Sequence, residues 1–453
     1  VNSVSPMLRL PKLFAVAVAF VCNLTIAHLP IGISWRDQIA AQEAVRSDEA
    51  PKEPAKTAQA EASAKPNTTA KPEATAKPNN TAKPNNTAKP EGNQEPELAR
   101  LQILNGSGKK VEIYRLIGVV TDGDGIDGEG NDGEGNRELV AVVEPAKNKM
   151  VRTRIGEKLT IVEPESQSQS VVTCVVPVQG YRVGGIPECY TQRTDAQGFP
   201  IVATANVSPY ALKEAVYLVD QMLAHRPDIR TAMIQSGARL CIIGWNEFTT
   251  DLPEWDWLAR NPLPDYPGIS PKDFYDARAR GMGGSLFDPF CSCGEENLLC
   301  YPGDPYSTEN ILIHEFAHNI HLRGLVNVDP TFDNRLKKAY ESAMEQGLWK
   351  SKYASVSYHE YFAEGVQSWF DNNRQDDHDH NHVNTRQELI EYDPGLADLC
   401  KEVFGETQLR YTKPQTRLSD HLSGYDPSTA PTFVWPDRIK HAQREILRRA
   451  QSR

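Results

Sequence analysis

The chain has no surplus of positive charge. Its 453 residues carry 49 lysines and arginines against 60 aspartates and glutamates, a net charge of −11. Without a basic surplus to neutralise phosphates, the balance argues against general nucleic-acid binding. Apolar runs long enough to cross a bilayer are also missing. The stretch "LFAVAVAFVCNLTIA", Leu13–Ala27, is shorter than the roughly 20 residues a spanning helix needs. It follows Arg9 and Lys12, as the h-region of an export signal does, with small residues for cleavage at Thr25-Ile26-Ala27 or Ala40-Ala41. Residues 1–41 therefore read as a signal peptide, with an uncleaved membrane anchor as the alternative. A secreted, periplasmic or cell-surface location is expected.

Residues 42–96 lack almost any apolar side chain, which excludes a packed core there. Ala-Lys-Pro recurs from Ala64, Ala70, Ala76, Ala82 and Ala88, so the segment reads as an extended, solvated linker. Asn67, Asn79 and Asn85 begin glycosylation sequons. Cysteine is sparse. Of eight, seven remain if the signal is removed, and an odd count leaves at least one unpaired. By spacing, Cys174 can pair with Cys189, and Cys300 with Cys291 or Cys293.

Structure is expected from Glu97. "ARLQILNGSGKKVEIYRL" alternates apolar and polar residues around Asn105-Gly106-Ser107-Gly108, which predicts a hairpin. The pattern continues to Glu163, giving a small β-sandwich-like module over 97–165. This stretch resembles the β-domain of the von Hippel–Lindau family over about one hairpin, which implies protein binding. Within the module, "TDGDGIDGEGNDGEGN" alternates acids with glycines. Asp122, Asp124, Asp127, Glu129, Asp132 and Glu134 read as a flexible acidic loop. Calcium binding at 122–134 is the alternative, although EF-hand spacing is absent.

Residues 175–453 have a globular composition. "SPYALKEAVYLVDQMLAHRP" predicts a helix capped by Ser208, and "ARLCIIGW" a buried strand. Further helices follow, so the class is α+β: the β module, then a mainly helical domain with a small sheet.

The chemistry centres on "ENILIHEFAHNIH", Glu309–His321. Ser307 or Thr308 can cap this helix and Gly324 can end it. His314 and His318 lie one turn apart on one face, so both imidazoles can reach one zinc ion. Glu315 between them can reach a water. The metzincin pattern fails, because His321 and Gly324 stand in the reverse of its order. A later glutamate is the other source of a third ligand. "SYHEYFAEGVQSWF" supplies Glu360 as that ligand, and one turn on Glu364, which can fix a ligand histidine by a hydrogen bond. The plainer alternatives are a capping box from Ser357 to Glu360, and a solvated Glu364.

"HEFAH" followed about forty residues later by "EYFAE" resembles the gluzincin metalloproteases related to the catalytic domain of anthrax toxin lethal factor, which include the Pro-Pro endopeptidases. The resemblance covers roughly 215–410. It implies a zincin-like fold, His314, His318 and Glu360 as zinc ligands, and Glu315 as base. It also implies Tyr353, seven residues before Glu360, as the oxyanion donor. Tyr358 is the competitor by proximity. The expected function is an exported zinc endopeptidase acting on a protein or peptide laid along the edge of the small sheet. The alternatives are an inactive binding protein of the same fold and a zinc amidase acting on cell-wall cross-links. "DDHDHNHV", with His378, His380 and His382, reads as a solvated loop, with a second metal as the alternative. "CGEENLLCYPGDPY" is expected to shape the cleft. His321 is expected at its helix end because a charged imidazole suits the dipole there.

Overall fold

The computed structural model describes residues 97–117 and 137–450. The signal, the linker with its sequons, Cys22 and the acidic loop at 122–134 lie outside them.

The first seven strands form two sheets around a shared core. They are β1 (Leu98–Asn105), β2 (Val111–Leu116), β3 (Arg137–Val143), β4 (Asn148–Arg154), β5 (Lys158–Glu163), β6 (Ser168–Thr173) and β7 (Val178–Val183). One sheet runs β4-β1-β7 and the other β3-β2-β5-β6. β1 and β2 are therefore not a hairpin. Asn105 turns the chain from one sheet into the other, donating to the carbonyls of Lys109 and Val143. Alternation sends Leu101, Ile103, Val111 and Ile113 into the same core, but it does not say which strand pairs with which. The sheets also run past residue 165. β7 pairs parallel with β1 and meets the helical part through Gly180 N donating to Ser236 O and Val178 N to Asn327 Oδ1.

The rest is mixed α+β. Its five-stranded sheet is built from β8 (Gln192–Ala196), β9 (Phe199–Ala203), β10 (Arg239–Ile243), β11 (Gly281–Met282) and β12 (Phe290–Gly294). The order is β11-β12-β10-β9-β8, with β9, β10 and β12 parallel and β11 an antiparallel edge. β10 is buried throughout, as its run of apolar residues demands. The helices of seven residues or more are α1 (Pro209–Met222), α2 (Pro227–Gln235), α3 (Ile311–Asn319), α4 (Phe332–Glu345), α5 (Tyr358–Trp369), α6 (Arg386–Tyr392), α7 (Pro394–Phe404) and α8 (Asp437–Ala450). Among the described residues no helix is long and apolar enough to cross a membrane.

α3 carries the motif and packs on β12, β11 and α5. Ile311, Leu312, Ile313, Phe316, Ala317 and Ile320 bury its apolar faces. Its cap is Asn310, whose side chain accepts from Ile313 N at 3.2 Å, rather than Ser307 or Thr308. Asn297 Oδ1 accepts from Ile311 N at 2.7 Å. Such caps contribute about 1 kcal/mol each. Gly324 does not end the helix. The chain continues through a π turn, Ile320–Leu325, to Val328. A Cβ at Gly324 would stand 2.6 Å from Ile229 Cγ2, so this glycine serves the close approach of α2.

None of the seven described cysteines forms a disulfide. Cys291 and Cys293 alternate on β12 and face the core. Cys300 lies past the next turn beside the Tyr411 hydroxyl. Cys174 is buried while Cys189 is exposed. Short sequence separation did not bring either expected pair together.

Candidate metal centre

α3 and α5 cross so that two imidazoles and one carboxylate converge. His314 Nε2 lies 3.1 Å from Glu360 Oε2, His318 Nε2 lies 3.3 Å from the same oxygen, and the two nitrogens are 3.3 Å apart. All three residues are buried. A tetrahedral ion with bonds of about 2.0–2.1 Å holds its ligand atoms roughly 3.3–3.4 Å apart. The triangle therefore has the size of one face of such a site, and the group can hold a metal ion.

Ser357 does cap α5, accepting from Glu360 N at 3.2 Å. The Glu360 carboxylate does not return to complete a capping box but goes to the histidines. Burial alone would raise its pKa, yet the charges and hydrogen bonds of His318 and His314 pull it below the carboxylate range. Burial would likewise depress His314, but the hydrogen bond and charge of Glu360 raise it to about 10.

The ring of His314 is set by Gln367. Gln367 Nε2 donates to Glu309 Oε2 at 3.0 Å, which turns its amide oxygen toward His314 Nδ1 at 2.8 Å. Nδ1 then carries a proton, so that Nε2 can present its lone pair to an ion that displaces the proton shared with Glu360. Glu364, expected in this role, stands 3.5 Å from Nδ1. Its other oxygen accepts from Asn373 Nδ2 at 3.0 Å and faces His380 Nε2 at 3.4 Å. His380 is thus not part of a solvated loop. It is buried between Glu364 and Asp377, while His378 and His382 are exposed. Gln367 continues the face of Glu360 and Glu364 at i, i+4 and i+7, a signal present in the sequence. We expect Gln367→Leu to weaken metal binding about 10–100-fold and Glu364→Gln to weaken it less, measured by competition with a chelator.

Two groups face this triangle. Glu315 is half-buried, and its carboxylate makes no ion pair or hydrogen bond among the described residues. Burial pushes its pKa up. Tyr353 lies on a short 3-10 turn before α5, its ring 6.0 Å from that of His314. Burial, then the charges of Glu360, Glu315 and Glu364, keep its hydroxyl protonated. Tyr358 lies against His359, ring centroids 4.0 Å apart and tilted by 32°, and approaches His321 instead.

β11 lies directly on α3. A Cβ at Gly281 would meet Glu315 Cγ at 2.9 Å, and one at Gly283 would meet His318 Cβ at 2.7 Å and Glu315 Oε2 at 3.0 Å. "RGMGGS" gives no hint of this contact before folding. Arg280 anchors the strand through a fully buried pair with Glu296 at 2.6 and 2.8 Å. Removing one partner of such a pair costs about 3–5 kcal/mol. The "CGEENLLC" segment supports β11 and α3 from inside through Glu296 and Asn297, while its Glu295 lines a pocket with Ser208, Trp245 and Tyr301. His321 is fully buried, and burial lowers its pKa, so its position does not come from a charged imidazole at a helix end.

Fold and site together define a mixed α+β protein with a buried two-histidine, one-glutamate centre. No family model, curated protein or solved structure matches the chain.

Proposed function

We propose that this chain is an exported zinc-dependent endopeptidase of the glutamate-ligand class, as its resemblance to the lethal factor group implies. One observation carries the reading: the mutual 3.1–3.3 Å spacing of His314 Nε2, His318 Nε2 and Glu360 Oε2. Two neutral imidazoles and a carboxylate suit zinc, with a fourth position left for water or substrate. When bound there, zinc supplies Lewis acidity and brings the pKa of water toward ~7.

The chain's own residues do the remainder. Glu315 accepts a proton from the attacking water and delivers it to the leaving amine. Tyr353 donates its hydroxyl proton in a hydrogen bond to the oxyanion of the tetrahedral intermediate. The substrate lies extended along the edge strand β11, adding a strand to the sheet. Gly283 keeps that edge close to Glu315.

The test is metal analysis coupled to cleavage. The purified chain is assayed for zinc, then incubated at neutral pH with a peptide library and, separately, with cell-wall fragments. Peptide cleavage is expected, with Tyr353→Phe losing about 10²–10³-fold in kcat at little cost in KM. Zinc-replete protein that cuts no peptide sinks the reading.

A further inference from the structure

A second group of ligand-type side chains lies beside the first and plays no part in the chemistry above. His321 comes from the π turn after α3, Asp333 from the first turn of α4, and His359 from the first turn of α5. Each offers one ligand atom, and these atoms all lie within 4.8 Å of one another. His321 Nε2 is 3.1 Å from Asp333 Oδ1. The rings of His321 and His359 have centroids 5.2 Å apart and are tilted by 37°.

The surroundings suit a cation more than a lone hydrogen bond. Both histidines are buried, and Phe332 and Phe362 meet the His321 ring edge-on at 5.7 and 5.6 Å. Such an apolar shell strengthens metal–ligand bonds by excluding competing water. On the other side the Asp333 side chain is 41% exposed, which leaves an entry path and room for water to complete the coordination. A His–Asp pair needs one imidazole. Two imidazoles and a carboxylate drawn from three separate elements form the donor set of a first-row divalent ion. Such an ion holds its ligand atoms roughly 3.3 Å apart, and half-exposed Asp333 is the member with room to adjust to it.

We propose that His321, Asp333 and His359 form a second, structural metal site for a divalent first-row cation, tying the π turn to the first turns of α4 and α5. Because His359 precedes Glu360, the ion also fixes the turn that presents Glu360 to the first centre.

The experiment counts metal. Full-length protein is loaded with excess zinc, stripped of unbound ion by gel filtration, and analysed by atomic absorption. The wild type is expected to hold two zinc ions per chain, Asp333→Asn one, Glu360→Gln one, and the double variant none. Asparagine retains an acceptor for His321 at a half-exposed position, so folding is preserved and far-UV circular dichroism checks it. Added zinc is expected to raise the Tm of Glu360→Gln but not that of the double variant. Loss of one ion in Asp333→Asn supports the second site even if no peptide is ever cleaved. A zinc content and Tm response unchanged by Asp333→Asn in both backgrounds overturns it.

Discussion

Glutamine at position 315 is expected to leave the zinc content at the wild-type value and to cut kcat by about 10²–10⁴-fold, the usual contribution of general acid–base catalysis. That loss corresponds to roughly 2.7–5.4 kcal/mol of transition-state stabilisation. The argument is local. Glu315 is not among the three atoms that converge, so its replacement removes no ligand. The amide removes the charge that Glu315 shares with His314 and His318 but leaves the side chain's packing in place. Glutamine has the same shape, which matters where Gly281 and Gly283 press on this side chain. What it lacks is a site that accepts a proton and gives it back. Zinc assay and single-turnover cleavage on the same preparation separate the outcomes. A zinc-replete Glu315→Gln protein that still cleaves removes Glu315 as the base.

Much of the centre was legible because its parts are written in local spacing. The i, i+4 separation of His314 and His318 puts two rings on one helical face whatever the helix packs against. Glu360 follows from the glutamates spaced one turn apart in "SYHEYFAEGVQSWF", and Tyr353 from the resemblance carried by "EYFAE". The contacts that hold these groups depend on tertiary structure. Gln367 follows Glu364 on the same face, yet which of them takes the Nδ1 proton depends on Glu309, fifty-eight residues away, fixing the Gln367 amide. His380 looked solvated in an acidic stretch because nothing nearby in sequence shows that Glu364 lies over it. β11 is only Gly281–Met282, followed by Gly283 and Gly284, so its role emerges only from its contact with α3. In the β sheets, alternation gave the buried faces but not the partners. A glycine that ends a helix and one that admits a neighbouring helix look alike in sequence, so the contact of Gly324 with Ile229 shows only in the fold.

Replacing Glu360 by glutamine is expected to change proton release as well as affinity. In the metal-free protein, Glu360 raises the pKa of His314 to about 10, so at pH 7 that ring holds a proton where an ion would bind. Zinc must expel it. Binding at pH 7 should therefore release about one proton from this site. Calorimetry in buffers of different ionisation enthalpy measures this, with Asp333→Asn as background so that one site titrates. With glutamine at 360 the burial of His314 is no longer opposed by that charge, and its pKa falls. Proton release should then drop toward zero, and zinc affinity should fall by more than the ~10–100-fold that follows loss of an outer hydrogen bond. The same pair contributes to the pH dependence of stability in the metal-free chain. A histidine raised above its unfolded value of 6.5 contributes its full stabilisation below that pH and loses it as pH rises through about 10. The Tm of metal-free protein should therefore decline from pH 7 to pH 10 more steeply in the parent than in Glu360→Gln. Equal slopes would mean that the carboxylate at 360 does not share a proton with His314, and the convergence of α3 and α5 on one cation would lose its electrostatic basis.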